Sequence, residues 1–429
     1  MKQLKLPQNP FLLFLPFLVL YIIIVLVFPT EKGTYGDEAR YLIYARYMID
    51  GFLPLTDLDF DYLGNGPGYP ILLMPFVALH IPIIWIAIMN AGFLYFSIIL
   101  LFKTGLKFLS FRSTFIMSLF WAFYFNSYVY IGKILPEIFT LFLVCLLIFN
   151  LVYVFSSAKS KKYIYFSGFI IGYIALTKPV FGYVLLCLFV GGIILWVLKR
   201  EVKNYKTVIV ILSIALATTT PYLIHTYNKT GKIFYWSSLG GQNLYWMTEK
   251  RDDYEYGSWI ADHGQPLDLE MKNRYLNNFE ERVKINHQKN FEEINKYKGI
   301  ARDDAYKRIA INNIKSHPLN YLQNCISNVG RMLFNFPYSY KLQTPDTLLR
   351  LPFTGVIVVL MLFCIIPTFK NWRKIDFSIR FMLLIALTYF GGSILGSAET
   401  RMFTVIVPLL LCWLAYICER AFKIKLKFD

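Results

Sequence analysis

The chain has 429 residues, of which 56% are hydrophobic, 18% aromatic and only 17% charged, and its mean hydropathy is +0.47. That balance excludes a water-soluble globular domain and fits an all-α polytopic membrane protein. The formal charge of +17 does not point to nucleic acid, because the excess lies in short loops between apolar stretches: Lys103/Lys107/Arg112, Lys159/Lys161/Lys162, Lys199/Arg200/Lys203/Lys206, Lys370/Arg373/Lys374 and Lys423/Lys425/Lys427. Loops of this kind are retained in the cytoplasm and attract anionic lipid.

A membrane span needs about 20 mostly apolar residues. The sequence predicts about ten, over 11–28, 82–102, 113–131, 134–155, 164–178, 180–198, 207–225, 347–369, 377–396 and 402–418. The first is longer than a secretory apolar core and lacks a small-x-small cleavage site, so it is expected to be retained. With the basic loops inside, both termini are expected in the cytoplasm. Residues 68–80 are apolar but too short to cross, and predict a re-entrant or interfacial helix. The chain then divides into an N-terminal bundle (1–225) with a first outer loop (29–67), an extracytoplasmic, mainly helical segment (226–346), and C-terminal membrane helices with a basic tail (347–429). Within the outer segment, 267–315 reads as helices and 321–336 as an interfacial helix. The six cysteines show no metal-ligand spacing and imply no disulfide framework.

The first outer loop opens on Gly36-Asp37-Glu38-Ala39-Arg40-Tyr41. Residues 37–50 carry no Gly or Pro and set Tyr41, Tyr44 and Tyr47 at helical spacing, which predicts an amphipathic surface helix. Asp37 and Glu38 are candidate catalytic acids, since an ionised carboxylate facing an acceptor serves as a general base. The alternative makes Asp37 a helix N-cap and Glu38 a first-turn acid. Asp57, Asp59 and Asp61 alternate, so an extended strand puts all three on one side; they are solvated loop acids or a divalent-metal site. No cofactor is implied beyond that metal. Gly64-Asn65-Gly66-Pro67-Gly68 lets the backbone approach a ligand closely, or simply turns the chain into the membrane.

Three more charges sit at the outer ends of spans. Glu137, in Leu135-Pro136-Glu137, faces a wet cavity or snorkels to the interface. Lys178, in Leu176-Thr177-Lys178-Pro179, and Arg401, in Glu399-Thr400-Arg401, lie where the positive-inside rule disfavours cations. Each is a candidate partner for a phosphate, or for a neighbouring acid such as Glu399.

These segments, in this order, resemble glycosyltransferase family 39, which includes protein O-mannosyltransferases and the aminoarabinose transferases of lipid A. The similarity rests on Gly-Asp-Glu-Ala-Arg-Tyr (36–41), Leu-Pro-Glu (135–137), Leu-Thr-Lys-Pro (176–179), Thr230-Gly231-Lys232, Gly240-Gly241-Gln242-Asn243-Leu244-Tyr245, Ser316-His317-Pro318 and Glu399-Thr400-Arg401. The resemblance implies a GT-C bundle and an inverting sugar transfer from a polyprenyl-phosphate donor to a cell-envelope glycan, lipid or protein. The reaction would take place at the outer face of a bacterial cytoplasmic membrane. It makes Asp37 the candidate base, Glu137 a second essential acid, and Lys178 and Arg401 candidate donor-phosphate partners; Arg40, beside Asp37 in the same motif, is a third candidate from its position. The chain departs from the lipid A-modifying members, which often have Glu-Lys-Pro-Pro where it reads Asn65-Gly66-Pro67-Gly68. That removes an acid and a cation and argues against an aminoarabinose donor. The alternative readings are an O-antigen polymerase or ligase, expected to use outward arginines and a histidine such as His263, His287 or His317, and a lipid flippase or transporter, expected to show mid-span charges and internal symmetry.

Overall fold

The computed structural model describes residues 9–28, 36–51, 62–156, 161–248, 257, 279–334 and 345–421. Among these the regular structure is helical throughout. Seven helices are long and apolar enough to cross a membrane: Ile84–Gly105, Glu137–Phe155, Val180–Val197, Val202–Thr230, Leu348–Lys370, Phe377–Ile394 and Thr400–Ala421. The chain is an integral membrane protein.

The other three predicted spans are shorter helices. The first is split into Pro10–Leu13 and Leu15–Val27, since Pro16 has no amide hydrogen and its ring disturbs the preceding turn. The third fills only Phe111–Ala122 rather than 113–131. The carbonyl of its last residue is claimed by two side-chain groups: Ala122 O accepts from the hydroxyls of Tyr21 at 2.7 Å and Tyr128 at 2.5 Å. With that carbonyl satisfied, the chain turns through Phe125–Tyr128 instead of continuing the helical ladder. The fifth ends at Thr177, because Pro179 cannot continue the helix.

The basic loops that lie among the described residues gather at one end of the bundle. There Arg380 holds Glu201 through two hydrogen bonds of 2.5 and 3.0 Å, tying the start of Val202–Thr230 to Phe377–Ile394. Those hydrogen bonds keep the Glu201 carboxyl below the usual carboxylate range. The centre is formed by Glu137–Phe155 and Thr400–Ala421, in which 72% and 78% of the most apolar stretch is buried. By contrast, Leu348–Lys370 is only 17% buried and presents Leu362, Phe363, Ile366 and Phe369 outward. All six cysteines are free thiols.

At the other end, the helix Asp37–Ile49 packs on Gly68–Ala78, which in turn packs on Lys161–Thr177. Among the described residues, four helices cap the same end: Gly240–Thr248, Phe279–Ile294, Gly299–Ser316 and Pro318–Phe334. The cap has its own small core of Tyr245, Trp246, Phe291, Ile294, Ala305, Tyr306 and Ala310. His287 is buried in that core with its Nδ1 2.9 Å from the Tyr245 hydroxyl. Its surroundings are those of a packing residue. The Asp303 carboxylate accepts from the Gly241 and Gln242 amides at 2.7 and 3.2 Å, satisfying the start of Gly240–Thr248. Asp57, Asp59, Asp61, His263 and residues 267–278 fall outside the described residues.

Candidate active site

Two elements carry the acids, and three carry the cations, one of them the helix that also carries Asp37. Gly36 opens the surface helix with φ of +59°, a conformation that favours glycine, and Asp37 is the first helical residue. The expected capping role of Asp37 is therefore corrected. Its carboxylate makes no cap and turns to two guanidinium groups instead. Arg401 Nη1 donates to Asp37 Oδ2 at 2.7 Å, and Arg40, one turn along the same helix, donates to Oδ1. Both oxygens of Asp37 are thus engaged by cations. Arg401 also lies 3.5 Å from Glu399.

The second pair lies deeper. Glu137 begins its helix immediately after Pro136 and is 1% exposed. That burial corrects both expectations, the wet cavity and the snorkelling acid: the carboxylate is enclosed by the bundle. Lys178 sits at the break between Lys161–Thr177 and Val180–Val197, and its ammonium donates to Glu137 Oε1 at 2.8 Å. The charges of Glu137 and Lys178 both lie in the field of Arg401. The two ion pairs therefore form one cluster, and the chain brings Asp37, Arg40, Glu137, Lys178 and Arg401 together from four distant stretches of sequence. Glu38 stands beside Asp37 and acts on Tyr69.

Tyrosines surround the cluster. Tyr41 and Tyr69 meet edge to face with ring centroids 5.2 Å apart, and both are buried. Burial, with the negative charge of Glu137 adding to it, pushes both hydroxyls well above the usual tyrosine range, so they stay protonated. Tyr130 and Tyr389 also lie in the field of Glu137, and Arg350 adds a further positive charge near Tyr130. Among the described residues, Glu137 Oε2 and the Tyr69 hydroxyl are buried polar atoms with no hydrogen-bond partner. Sequence reasoning missed Tyr69, Tyr130, Tyr389 and Arg350, and read Tyr41 only as part of the surface helix. Tyr41 closes one quoted motif and Tyr69 directly follows another, but nothing along the chain says that they meet.

The glycine turn is explained by packing. A Cβ at Gly66 or Gly68 would overlap the Leu176–Thr177 backbone, and the Tyr173 hydroxyl donates to the Gly68 carbonyl at 2.9 Å. The close approach that these glycines permit is to the end of the Lys178 helix. Among the described residues, no group of three or more His, Cys, Asp or Glu is gathered for a metal.

No protein-family model matches the sequence, and no curated protein matches it significantly. Solved structures do. The chain aligns over 97% of its length with the archaeal oligosaccharyltransferase AglB from Archaeoglobus fulgidus, in complex with an inhibitory peptide and a dolichol-phosphate, at a TM-score of 0.51 and 12% identity. The bundle has the GT-C fold. The chain spans 52% of that structure's length. ArnT from Cupriavidus metallidurans, bound to undecaprenyl phosphate, aligns over 95% of this chain and 77% of its own at a TM-score of 0.41 and 10% identity. At these identities the likeness concerns the fold, and the chemistry of this chain rests on its own residues.

Proposed function

We propose that the protein is a membrane glycosyltransferase that moves a sugar from a polyprenyl-phosphate donor to an acceptor hydroxyl on a cell-envelope glycan, lipid or protein. The observation that carries this reading is the double ion pair of Asp37 with Arg401 and Arg40. A carboxylate held by two guanidiniums is a poor proton acceptor. A donor phosphodiester offers the same two arginines a monoanionic competitor with two free oxygens in bidentate geometry, and its charge grows towards two as the polyprenyl phosphate leaves. Donor binding at Arg401 and Arg40 therefore releases Asp37 towards the acceptor, and the base becomes active only when the leaving group is in place.

The acceptor oxygen attacks the anomeric carbon from the face opposite the phosphate, and its proton passes to Asp37. The carbon–oxygen bond to phosphate breaks, and its electron pair leaves with the polyprenyl phosphate, whose added charge is neutralised by Arg401, Arg40 and Lys178. Glu137 holds Lys178 in place through the 2.8 Å bond. The chemistry runs at the extracytoplasmic face, a reading supported by the basic loops at the opposite end of the bundle.

The test compares a strain lacking the protein with strains carrying wild type or Asp37→Asn at matched membrane levels, by mass spectrometry of lipids and envelope glycans. Wild type should restore a glycan residue and clear an accumulated polyprenyl-linked sugar. Asp37→Asn should reduce transfer by about 100-fold or more, the scale of a lost general base. Full activity of that variant would remove Asp37 from the chemistry. No change in any lipid-linked sugar on deletion would favour a transporter.

A further inference from the structure

We propose that Asn328 and Arg331, on the last helix of the cap, are positioning residues that aim Arg401 by fixing the backbone that leads into its helix. The proposal rests on the reading of Arg401 as a donor-phosphate partner. The helix Phe377–Ile394 ends and Thr400–Ala421 begins only a few residues later. The terminal carbonyls of a helix have no partner within it, and a short connection cannot supply them all.

Here the partners come from the cap. Asn328 is fully buried. Its Nδ2 donates to the carbonyls of Ile394 at 3.0 Å and Gly396, with a longer contact of 3.4 Å to Ser393. Its Oδ1 accepts from the Ala398 amide at 3.1 Å and from Arg331 Nη1 at 2.9 Å. The same Arg331 nitrogen reaches the carbonyls of Ala398 at 3.5 Å and Gly257 at 3.3 Å. Tyr321, on the same cap helix, donates to the Leu395 carbonyl at 3.0 Å.

One side chain therefore reads both sides of the connection, donating to carbonyls before the turn and accepting from an amide after it. Only a carboxamide offers donors and acceptors together in this geometry. Glu399 follows Ala398 directly, and Arg401 is two residues further on. A shift of the Ala398 backbone is carried straight to the guanidinium that must reach Asp37 at 2.7 Å. The buried Arg331 adds a fixed positive charge behind Asn328 and keeps its amide from flipping.

The experiment measures binding of undecaprenyl phosphate, which carries the phosphate but no sugar, to the full-length protein in nanodiscs. Four variants are used: Asn328→Leu, Arg331→Met, Arg401→Gln and the double Asn328→Leu/Arg401→Gln. Affinity is read on the folded, monodisperse fraction. Asn328→Leu should weaken binding about tenfold in the wild-type background and less than about twofold once Arg401 is Gln, because residues acting through one group are not additive. Arg331→Met should fall between wild type and Asn328→Leu and should raise the donor KM more than it lowers kcat. Multiplicative losses in the double variant would overturn the proposal, as would wild-type binding by Asn328→Leu. If wild-type protein itself binds no polyprenyl phosphate, the donor reading fails first and the positioning role falls with it. That outcome is distinct from an intact wild type with additive variants.

Discussion

Lys178 and Glu137 are taken out of water together, with side-chain exposures of 12% and 1%. Pairing makes this tolerable, because a lone ion in such surroundings lacks compensation for its lost hydration. Removing one partner should be worse than removing both. Lys178→Met is expected to cost about 3–5 kcal/mol by leaving Glu137 uncompensated, whereas Lys178→Met/Glu137→Leu should recover much of that loss. The midpoint of thermal unfolding in detergent reads the difference, and a double variant less stable than the single would refute this account. Both members of the pair were identifiable along the chain as isolated charges at apolar helix ends. Their partnership was not, since 41 residues and a helical hairpin separate them. The same holds for Asp37 and Arg401, which are 364 residues apart. An N-cap is the local option for an acid after glycine, and a long-range guanidinium outcompetes it.

At the scale of elements, the site depends on two breaks. Pro179 stops one helix and starts the next, leaving Lys178 at the turn. Gly66-Pro67-Gly68 then lets the start of Gly68–Ala78 lie directly on the end of that helix. Gly68→Ala places a methyl group against the Thr177 amide and hydroxyl. It is predicted to destabilise by about 1–3 kcal/mol, the usual scale of overpacking, and to lower transfer as Lys178 moves. Matched measurements of unfolding and turnover check this, and an unchanged Gly68→Ala protein would show that the contact is soft. The turn was recognisable in the sequence as a glycine-rich entry into the membrane. Whether it approached a ligand or a helix was not, because glycine spacing reports that something comes close without saying what.

At the scale of the whole molecule, one end is basic and the other holds the charged cluster beneath the cap. The positive-inside rule predicts a cytoplasmic basic end. In a cysteine-free background, a membrane-impermeant maleimide added to intact cells should label Lys229→Cys, at the site end of Val202–Thr230, and spare Arg200→Cys at the other. Both positions are exposed. The reverse pattern would place the site in the cytoplasm and require a different donor pool.

Apolar content, loop charge and proline placement act locally, so the sequence by itself determined a helical membrane protein, the surface helix after Gly36 and the residues worth testing. Helix length was less legible. The predicted third span stops at Ala122 because the Tyr21 hydroxyl, about a hundred residues away, takes its carbonyl. Tertiary structure alone decided which acid meets which cation, that four tyrosines enclose them, and that Asn328 of the cap fixes the approach to Arg401. Those are contacts between side chains on separate helices, and their energies depend on distance in space, for which position along the chain carries no term.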